Sequence, residues 1–318
     1  MTEKNMELKP EEKEKQVENN AAYDKEESEQ EILTPSKLIR RKFFRKKISV
    51  VGLIIFTIMV VAVLLAPVIS GHDPYAYDFK VANQAPSKDH ILGTDELGRD
   101  FFARVLYGGR VSLKVGLFAV IIEIIIGALV GGLAGYYGGW VDNILMRIAE
   151  IFMSFPFTPL AITISAVIGV KISPERKMYV VMLIIGLLSW PGLSRMIRGQ
   201  ILSLREQEFI LAAKALGIKD RKIIWKHLLP NTLGYIIVSA TLGMAGAIMS
   251  EASLSFLGLG VAPPVPTWGN LVQYARDAYC LKNRLWLWLP PGLCIFMAVM
   301  CINLIGDGLR DAIDPKSR

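Results

Sequence analysis

Strongly apolar runs alternate with polar stretches along most of the chain. At about 1.5 Å per residue, a helical run of about 20 apolar residues crosses the ~30 Å hydrocarbon core of a bilayer. Backbone groups in lipid must bond within their own segment, so such runs predict transmembrane helices. The pattern therefore predicts an all-α integral membrane protein with six transmembrane helices: Ile48–Ile69, Val111–Tyr136, a run ending near Val170, Met178–Leu193, Thr232–Leu254 and a run ending near Ile305.

Basic residues predict the orientation of these spans. Seven of them lie between Lys37 and Lys47, directly before the first run. Two more follow the fourth run: Arg195 and Arg198. Because segments rich in Lys and Arg remain on the cytoplasmic side, both termini are expected in the cytoplasm. Residues 71–110 then form an extracytoplasmic loop, and residues 205–230 lie inside.

The central polar segment, residues 205–230, carries the signals of two short helices. The apolar positions of the first recur at helical spacing: Phe209, Ile210, Ala212, Ala213 and Leu216. Gly217 suits the end of that helix. Asp220 is expected to cap a second helix, Arg221–Leu229. Pro230 either stops this second helix or opens the next one. Such a pair, held between two spans, predicts a docking site for a soluble partner. The alternative is a pair packed only on its own bundle.

Small residues recur at every fourth position in the second run: Gly127, Gly131, Gly135 and Gly139. In lipid, such rows let helix backbones approach closely. Glu123 lies one turn earlier on the same row, ~18 Å into the span. A carboxyl at that depth should face the bundle, where it either bonds a neighbouring helix or serves the function of the protein. The fifth run has a similar row: Ser239, Gly243, Ala247 and Glu251.

The loop before the second run predicts an interfacial helix. Thr94 is placed to cap a helix over Asp95–Tyr107. Its polar side would consist of four charged residues: Asp95, Arg99, Asp100 and Arg104. These residues either form a solvated, mutually paired face or contact an extracytoplasmic partner.

Three other features complete the predicted topology. The polar stretch Trp140–Glu150 predicts a short cytoplasmic turn. Pro156 and Pro159 predict a kink in the third span. Residues 307–318 are expected to form a cytoplasmic tail.

Composition and charge distinguish a membrane protein from a nucleic-acid-binding one. The 318 residues have a net charge of +7 and a mean hydropathy of +0.39. Most basic residues flank apolar runs, so the charge indicates a membrane protein and not a nucleic-acid-binding one. Residues 1–36 carry eleven acidic and five basic residues, a net of −6. They predict a disordered, solvated cytoplasmic tail, with a regulatory or docking tail as the alternative.

Candidate chemistry is sparse. No GxxxxGK[ST] stretch occurs, so no ATP site is predicted in this chain. The three cysteines contain no CxxC pair and are expected to pack inertly. His72, His90 and His227 are predicted to lie on both sides of the membrane without metal-ligand spacing, so neither a metal site nor a membrane-embedded enzyme is expected.

Three stretches resemble a known family. AAKALGIKDRKIIWKHLLPN is similar to the EAA motif of ATP-binding-cassette (ABC) importers, LGTDELGRDFFARVLYGGRVSL resembles an outer-loop signature, and EASLSFLGLG and GDGLRDAIDP match toward the C-terminus. From about Ile48 onward, the chain resembles the inner-membrane permease subunits of importers for dipeptides, oligopeptides and nickel, specifically the C type. Leu211 stands where the motif usually has Glu, with Glu208 three residues earlier. The carboxylate role is therefore not carried over to position 211.

The resemblance implies a type I ABC-importer permease fold in the cell membrane. It implies a path shared with a second permease subunit, two ABC ATPase subunits that use ATP and Mg²⁺, and an extracytoplasmic substrate-binding protein. This chain would bind no cofactor, and nickel or another small solute is an alternative cargo to peptides. An ion-coupled secondary transporter remains a rival, although it would predict an inverted repeat that the sequence lacks.

The resemblance and the residue patterns described above together predict roles for individual residues. The residues expected to couple to the ATPase are Phe209, Ala212, Ala213, Gly217, His227, Leu229 and Pro230. Those expected in helix packing or the translocation path are Glu123, Gly127, Gly131, Gly135, Gly243 and Glu251. Extracytoplasmic contact is expected from Asp95, Arg99 and Asp100. The predicted organisation is a tail (1–36), a basic flank and anchor (37–70), an outer loop (71–110), a permease core (111–306) and a C-terminal tail (307–318).

Overall fold

A computed structural model describes residues 35–169 and 172–314 of the chain. The predicted N-terminal tail, apart from its last two residues, lies outside this part. The described residues are nearly all helical, and their β-structure is a single isolated bridge between Thr94 and Asp100. The α-helices are α1 Pro35–Arg45, α2 Lys47–Leu64, α3 Ala66–Ile69, α4 Phe101–Tyr137, α5 Gly139–Ser154, α6 Phe157–Gly169, α7 Pro174–Leu204, α8 Glu208–Ala215, α9 Asp220–Ile223, α10 Leu229–Phe256, α11 Trp268–Leu271, α12 Ala278–Asn283 and α13 Leu289–Ile313.

Five described helices are long and apolar enough to cross a membrane: Lys47–Leu64, Phe101–Tyr137, Arg176–Leu204, Asp220–Phe256 and Leu289–Ile313. The predicted third span is instead the pair α5 and α6, which meet at 84° and make a sixth span only if counted together. Phe155 has an extended conformation directly before Pro156, as expected for a residue that precedes proline. The proline therefore produces a sharp break where a kink was predicted.

Helices continue through two polar stretches of the chain. The stretch Trp140–Glu150 is part of helix α5 and not a short turn. Helix α13 extends to Ile313, so the first residues of the predicted C-terminal tail are helical. In α13, Gly308 packs directly against Ser49 at the start of the first span. This contact gives the polar end of α13 a partner within the bundle.

Helix α4 begins much earlier than the second apolar run. The Asp100 carboxylate caps it by accepting a 2.7 Å hydrogen bond from the backbone N–H of Ala103. The predicted interfacial helix Asp95–Tyr107 does not form separately, because α4 continues from Phe101 to Tyr137 without a break. Gly109 lies within this helix, where its lack of a side chain leaves room for the ring of Trp268. The 37 residues would reach about 55 Å, which exceeds the hydrocarbon core.

The glycine row of α4 packs closely against α7. A Cβ atom at Gly131 would lie 2.4 Å from the carbonyl oxygen of Ser194 in α7. Gly127 and Gly135 likewise contact α7. These three glycines lie at the contact between α4 and α7, but Gly139 lies beyond the row: it begins α5 with a φ of +52°.

Helix α10 lies against α4, α7 and α13 and completes the core. The first span packs against α13 through Gly52, which leaves room for Leu304. Between α10 and α13, the Gly- and Pro-rich loop folds back into the bundle, where Trp268 is buried. The indole N–H of Trp268 donates a 3.0 Å hydrogen bond to the carbonyl of Val105 in α4.

Candidate functional site

The central polar segment contains the predicted break between two helical pieces. Gly217 has a φ of +73°, in the left-handed region that favours glycine. Its N–H bonds to the carbonyl of Lys214, and the N–H of Ile218 bonds to that of Ala213. These bonds satisfy the last carbonyls of α8, as predicted from the glycine.

The second helix of this segment differs from the prediction. Asp220 is the first residue of α9 and not its cap, since the cap position belongs to Lys219. The Asp220 carboxylate instead accepts a 2.6 Å hydrogen bond from the Tyr136 hydroxyl near the end of α4. The ammonium of Lys214 also lies 5.0 Å from the centre of the Tyr136 ring. One tyrosine thus fixes both sides of the break to the bundle.

Helix α9 does not end before the fifth span. It continues through a π-helical turn, Ile224–Leu228, into α10. Pro230 lies in the first turn of α10, so it opens the next helix, which was one of the two predicted outcomes. Displacement of α9 would therefore move the start of a membrane-spanning helix directly.

The residues of α8 divide between two faces. Ile210 and Ala213 are buried in a core shared with α7, α9 and α10. On the other face, the exposed fractions are 46% for Phe209, 54% for Leu211 and 80% for Leu216. The remaining candidates are also divided: Ala212, Gly217 and Pro230 are exposed, His227 is half-buried and Leu229 is buried. The residue that replaces the usual motif Glu, Leu211, belongs to the exposed face.

A charged cluster near this segment was not predicted. Arg198 of α7 binds Asp142 of α5 through two hydrogen bonds, each 2.5 Å long. Arg205 donates a 3.2 Å hydrogen bond to the carbonyl of Gly135 at the end of the glycine row. The sequence marked Asp142 and Arg198 only as residues near the ends of spans, and nothing in their spacing of 56 residues indicates a pair.

The two acidic residues of the packed rows have different surroundings. Glu251 is fully buried and accepts hydrogen bonds from the hydroxyls of Ser112 (2.9 Å) and Ser255 (2.6 Å). Glu123 is buried beside Gly243. A Cβ atom added at Gly243 would lie 3.1 Å from the Oε2 atom of Glu123. Within the described ranges, the Glu123 carboxylate forms no hydrogen bond. The interhelical bond expected for Glu123 is therefore made by Glu251 instead.

The charged residues of the outer loop are paired, as one prediction stated, but they are buried and not solvated. Arg99 donates a 2.7 Å hydrogen bond from Nε to Asp95, and Arg104 Nε lies 3.5 Å from the same carboxylate. Residues 73–100 fold over this cluster, and Arg104 also bonds the carbonyl of Pro74. The predicted partner contact through Asp95, Arg99 and Asp100 therefore has no exposed side-chain surface.

Tyr274 covers the same end of α4 with its ring centre 6.1 Å from that of Phe101. Burial raises the pKa of Tyr274 to about 12, so the phenol stays neutral at physiological pH. The Tyr274 side chain therefore adds no charge to the cluster beneath it.

His72 and His90 meet in this loop, contrary to the expectation that the histidines are scattered. Their ring centres are 5.1 Å apart, and both Nδ1 atoms face the carboxylate of Asp100. The 17 intervening residues gave no metal-binding spacing. Only the fold of the loop brings the two rings together.

Family models match two parts of the chain. Residues 34–86 match the N-terminal TM domain of oligopeptide transport permease C. Residues 124–318 match the binding-protein-dependent transport system inner membrane component, which is more than half of the chain. The chain belongs to this family. It is therefore a multi-pass inner-membrane permease, as the resemblance of its motifs implied.

Relatives extend the likeness to nearly the whole permease. It is 40% identical over 292 residues to the dipeptide transport system permease protein DppC of Alkalihalophilus pseudofirmus, covering 92% of this chain and 93% of the relative. It is also 40% identical over 287 residues to the glutathione transport system permease protein GsiD of Escherichia coli O6:K15:H31, covering 90% and 92%.

A solved structure supports the fold. The permease resembles a chain of the methionine ABC transporter MetNI in its inward-facing conformations, with a TM-score of 0.51 and 21% identity. The match covers 66% of this chain and 97% of the other. The likeness confirms the ABC-importer permease fold.

Proposed function

We propose that the permease forms, with a second permease subunit, the membrane path of an ATP-driven importer for dipeptides or other short peptides. Two cytoplasmic ABC ATPase subunits would supply the energy and hold the ATP and Mg²⁺. An extracytoplasmic binding protein would deliver the peptide. The names of the relatives, a dipeptide and a glutathione permease, support this class of cargo.

The observation that carries the proposal is the exposed apolar face of α8. Phe209, Leu211 and Leu216 project from a segment whose neighbouring residues are charged and exposed, including Glu208 and Lys214. This composition favours a position of α8 in water and not in lipid. Apolar side chains that stay exposed in water beside charged residues mark an interaction surface. Burial of each such side chain contributes about 1.5–3 kcal/mol.

Charge supports a cytoplasmic position for this surface. Residues 205–230 contain six basic residues: Arg205, Lys214, Lys219, Arg221, Lys222 and Lys226. Basic loops of this kind are retained on the cytoplasmic side, where ATP is available. Ala212 lies on the exposed face, and its small side chain permits close approach of a partner.

The structure of the segment suggests how ATPase movement would reach the path. α9 is continuous with α10, and α10 carries Gly243 and Glu251 against α4. Rigid-body motion of the docked segment would therefore shift α10 against the glycine-lined helices and change which side of the path is open. Nucleotide would drive this shift by binding one arrangement more tightly than the other.

Transport by the reconstituted complex tests the proposal. The permease would be placed in liposomes with its second permease subunit, both ATPase subunits and the binding protein encoded beside them. We expect uptake of labelled dipeptide that requires ATP and stops when the ATPase is inactive. Uptake by the permease alone under an ion gradient would instead support a secondary transporter. ATP-dependent uptake of nickel but not of any peptide up to five residues would contradict the peptide assignment.

A further inference from the structure

Three side chains that the proposed transport mechanism does not use converge in the loop between the first span and α4. The Nδ1 atom of His90 lies 2.9 Å from Oδ2 of Asp100, and the Nδ1 atom of His72 lies 3.8 Å from the same oxygen. One ligand atom from each residue lies within 4.8 Å of the other two. His90 is therefore in hydrogen-bond contact with the carboxylate, whereas His72 lies beside it with its Nδ1 atom 3.3 Å from the carbonyl oxygen of Ser70.

These distances match a transition-metal site. Zn²⁺ binds imidazole nitrogen at about 2.0–2.1 Å and carboxylate oxygen at about 2.0–2.2 Å, which places tetrahedral ligand atoms about 3.3 Å apart. The two measured distances lie on either side of that value. Binding of an ion would therefore lengthen the contact of His90 with Asp100 and shorten that of His72. Two histidines, one carboxylate and an open fourth position form a ligand set that proteins use for Zn²⁺.

The surroundings hold two of the three groups in place. Oδ1 of Asp100 accepts the capping bond from Ala103, which leaves Oδ2 directed at the rings. The backbone of His90 is fixed by a bond from its N–H to the Ser87 hydroxyl and by bonds from the N–H groups of Ser87 and Gly93 to its carbonyl. The side chains of His90 and Asp100 are only 15% and 4% exposed. A metal site requires ligands oriented in this way by their neighbours.

His72 lies on the solvent-exposed side of the cluster. Its side chain is 47% exposed, and it follows Gly71, which has a φ of +66° after the end of α3. Solvent and ions therefore reach the cluster from this side.

The geometry points to a divalent transition-metal site of the zinc class formed by His72, His90 and Asp100. The ion would join the end of the first span to the start of α4, two elements separated by a long loop. It stabilises the folded permease because it binds all three ligands only in this arrangement. The site does not depend on the identity of the transported solute.

Zinc titration of the full-length permease tests the site. The protein would be purified in lipid nanodiscs with an affinity tag that lacks histidine, treated with EDTA and titrated with ZnCl₂ by calorimetry. We expect one Zn²⁺ per permease, and an increase of several degrees in the unfolding temperature. X-ray absorption should show nitrogen and oxygen ligands at about 2.0–2.1 Å and no sulfur.

Single substitutions assign the ligands. We expect His72→Asn, His90→Asn and Asp100→Asn each to weaken zinc binding at least tenfold and to abolish the thermal shift. Asn can still cap α4 at position 100, so this variant separates the loss of a ligand from the loss of a cap. His227→Asn is the matched control, since it removes the only remaining histidine and should leave zinc binding unchanged.

Two outcomes would overturn the inference: no saturable zinc binding at micromolar concentrations, or binding by His72→Asn equal to that of the unsubstituted protein. The exposed position of His72 keeps the test decisive even if His90→Asn fails to fold. Peptide transport is measured separately. Absence of zinc binding would therefore not contradict the proposed transport function, and absence of transport would not contradict the zinc site.

Discussion

The hydroxyl of Ser112 in α4 donates a 2.9 Å hydrogen bond to the carboxylate of Glu251 in α10, although 139 residues separate them. The same hydroxyl accepts a 3.1 Å hydrogen bond from the backbone N–H of Trp268 in α11. Ser112 therefore links two spans and the loop that folds back between α10 and α13, and it does so through Glu251 on the side of α10. In a low-dielectric interior, a polar group with all its partners stabilises one arrangement, and loss of one partner is costly.

Removal of the Glu251 side chain should destabilise the permease. Glu251→Ala leaves the hydroxyls of Ser112 and Ser255 without their acceptor and creates a cavity. We expect a loss of about 1–3 kcal/mol for each buried hydroxyl left unpaired. Thermal unfolding in nanodiscs measures the effect. Glu251→Gln keeps the volume and one acceptor oxygen, so it should lower the unfolding temperature less. Equal unfolding temperatures for both variants would show that Glu251 does not organise this contact.

Substitution of Gly131 tests the close contact between α4 and α7. In Gly131→Ala, the new Cβ would lie 2.4 Å from the Ser194 carbonyl oxygen, so the helices must separate. Gly199 provides a matched control within α7, because no atom lies within 4 Å of an added Cβ. We expect Gly131→Ala to lower the unfolding temperature. Gly199→Ala should preserve or raise it, with a gain of up to about 1 kcal/mol from helix propensity. The opposite order would contradict the packing role of the glycine row.

The glycine row and the histidine pair show which features sequence reasoning can reach. The packing position of Gly131 was predictable because residues spaced four apart lie on one face of a helix, whichever element that face contacts. Gly217 was predictable because its backbone conformation is a local property. The meeting of His72 and His90, and the burial of Asp95, depend on how a loop folds over distant residues. No local pattern encodes such contacts, so these features appeared only in the structure.

The two adjacent alanines of α8 should respond differently to a bulky charge. Ala212 is exposed, whereas Ala213 is buried against α7 and α9. We expect Ala212→Arg to preserve the unfolding temperature and to reduce co-purification of the ATPase subunits at least tenfold. Ala213→Arg should lower the unfolding temperature, because it places a charge in the core of the segment. Its effect on ATPase binding would therefore be indirect.

A control at the other end of the bundle makes this comparison specific. Ala76 is exposed in the loop after the first span, far along the chain from α8. Ala76→Arg adds the same bulk and charge and should leave ATPase co-purification unchanged. If Ala212→Arg also retained the ATPase subunits fully, the exposed face of α8 would not be the docking surface.

The ion pair between Asp142 and Arg198 should stabilise the position of α5 against α7. Both bonds are 2.5 Å long, and the planar guanidinium matches the carboxylate in a way that lysine cannot. The Arg198 side chain is about one third exposed, so solvent screening limits the pair to about 0.5–1.5 kcal/mol. We expect Arg198→Lys and Asp142→Asn each to lower the unfolding temperature. The double variant should lose less stability than the two single variants together, because the second change removes a side chain that has already lost its bonds. Additive losses would show that each residue acts through other contacts.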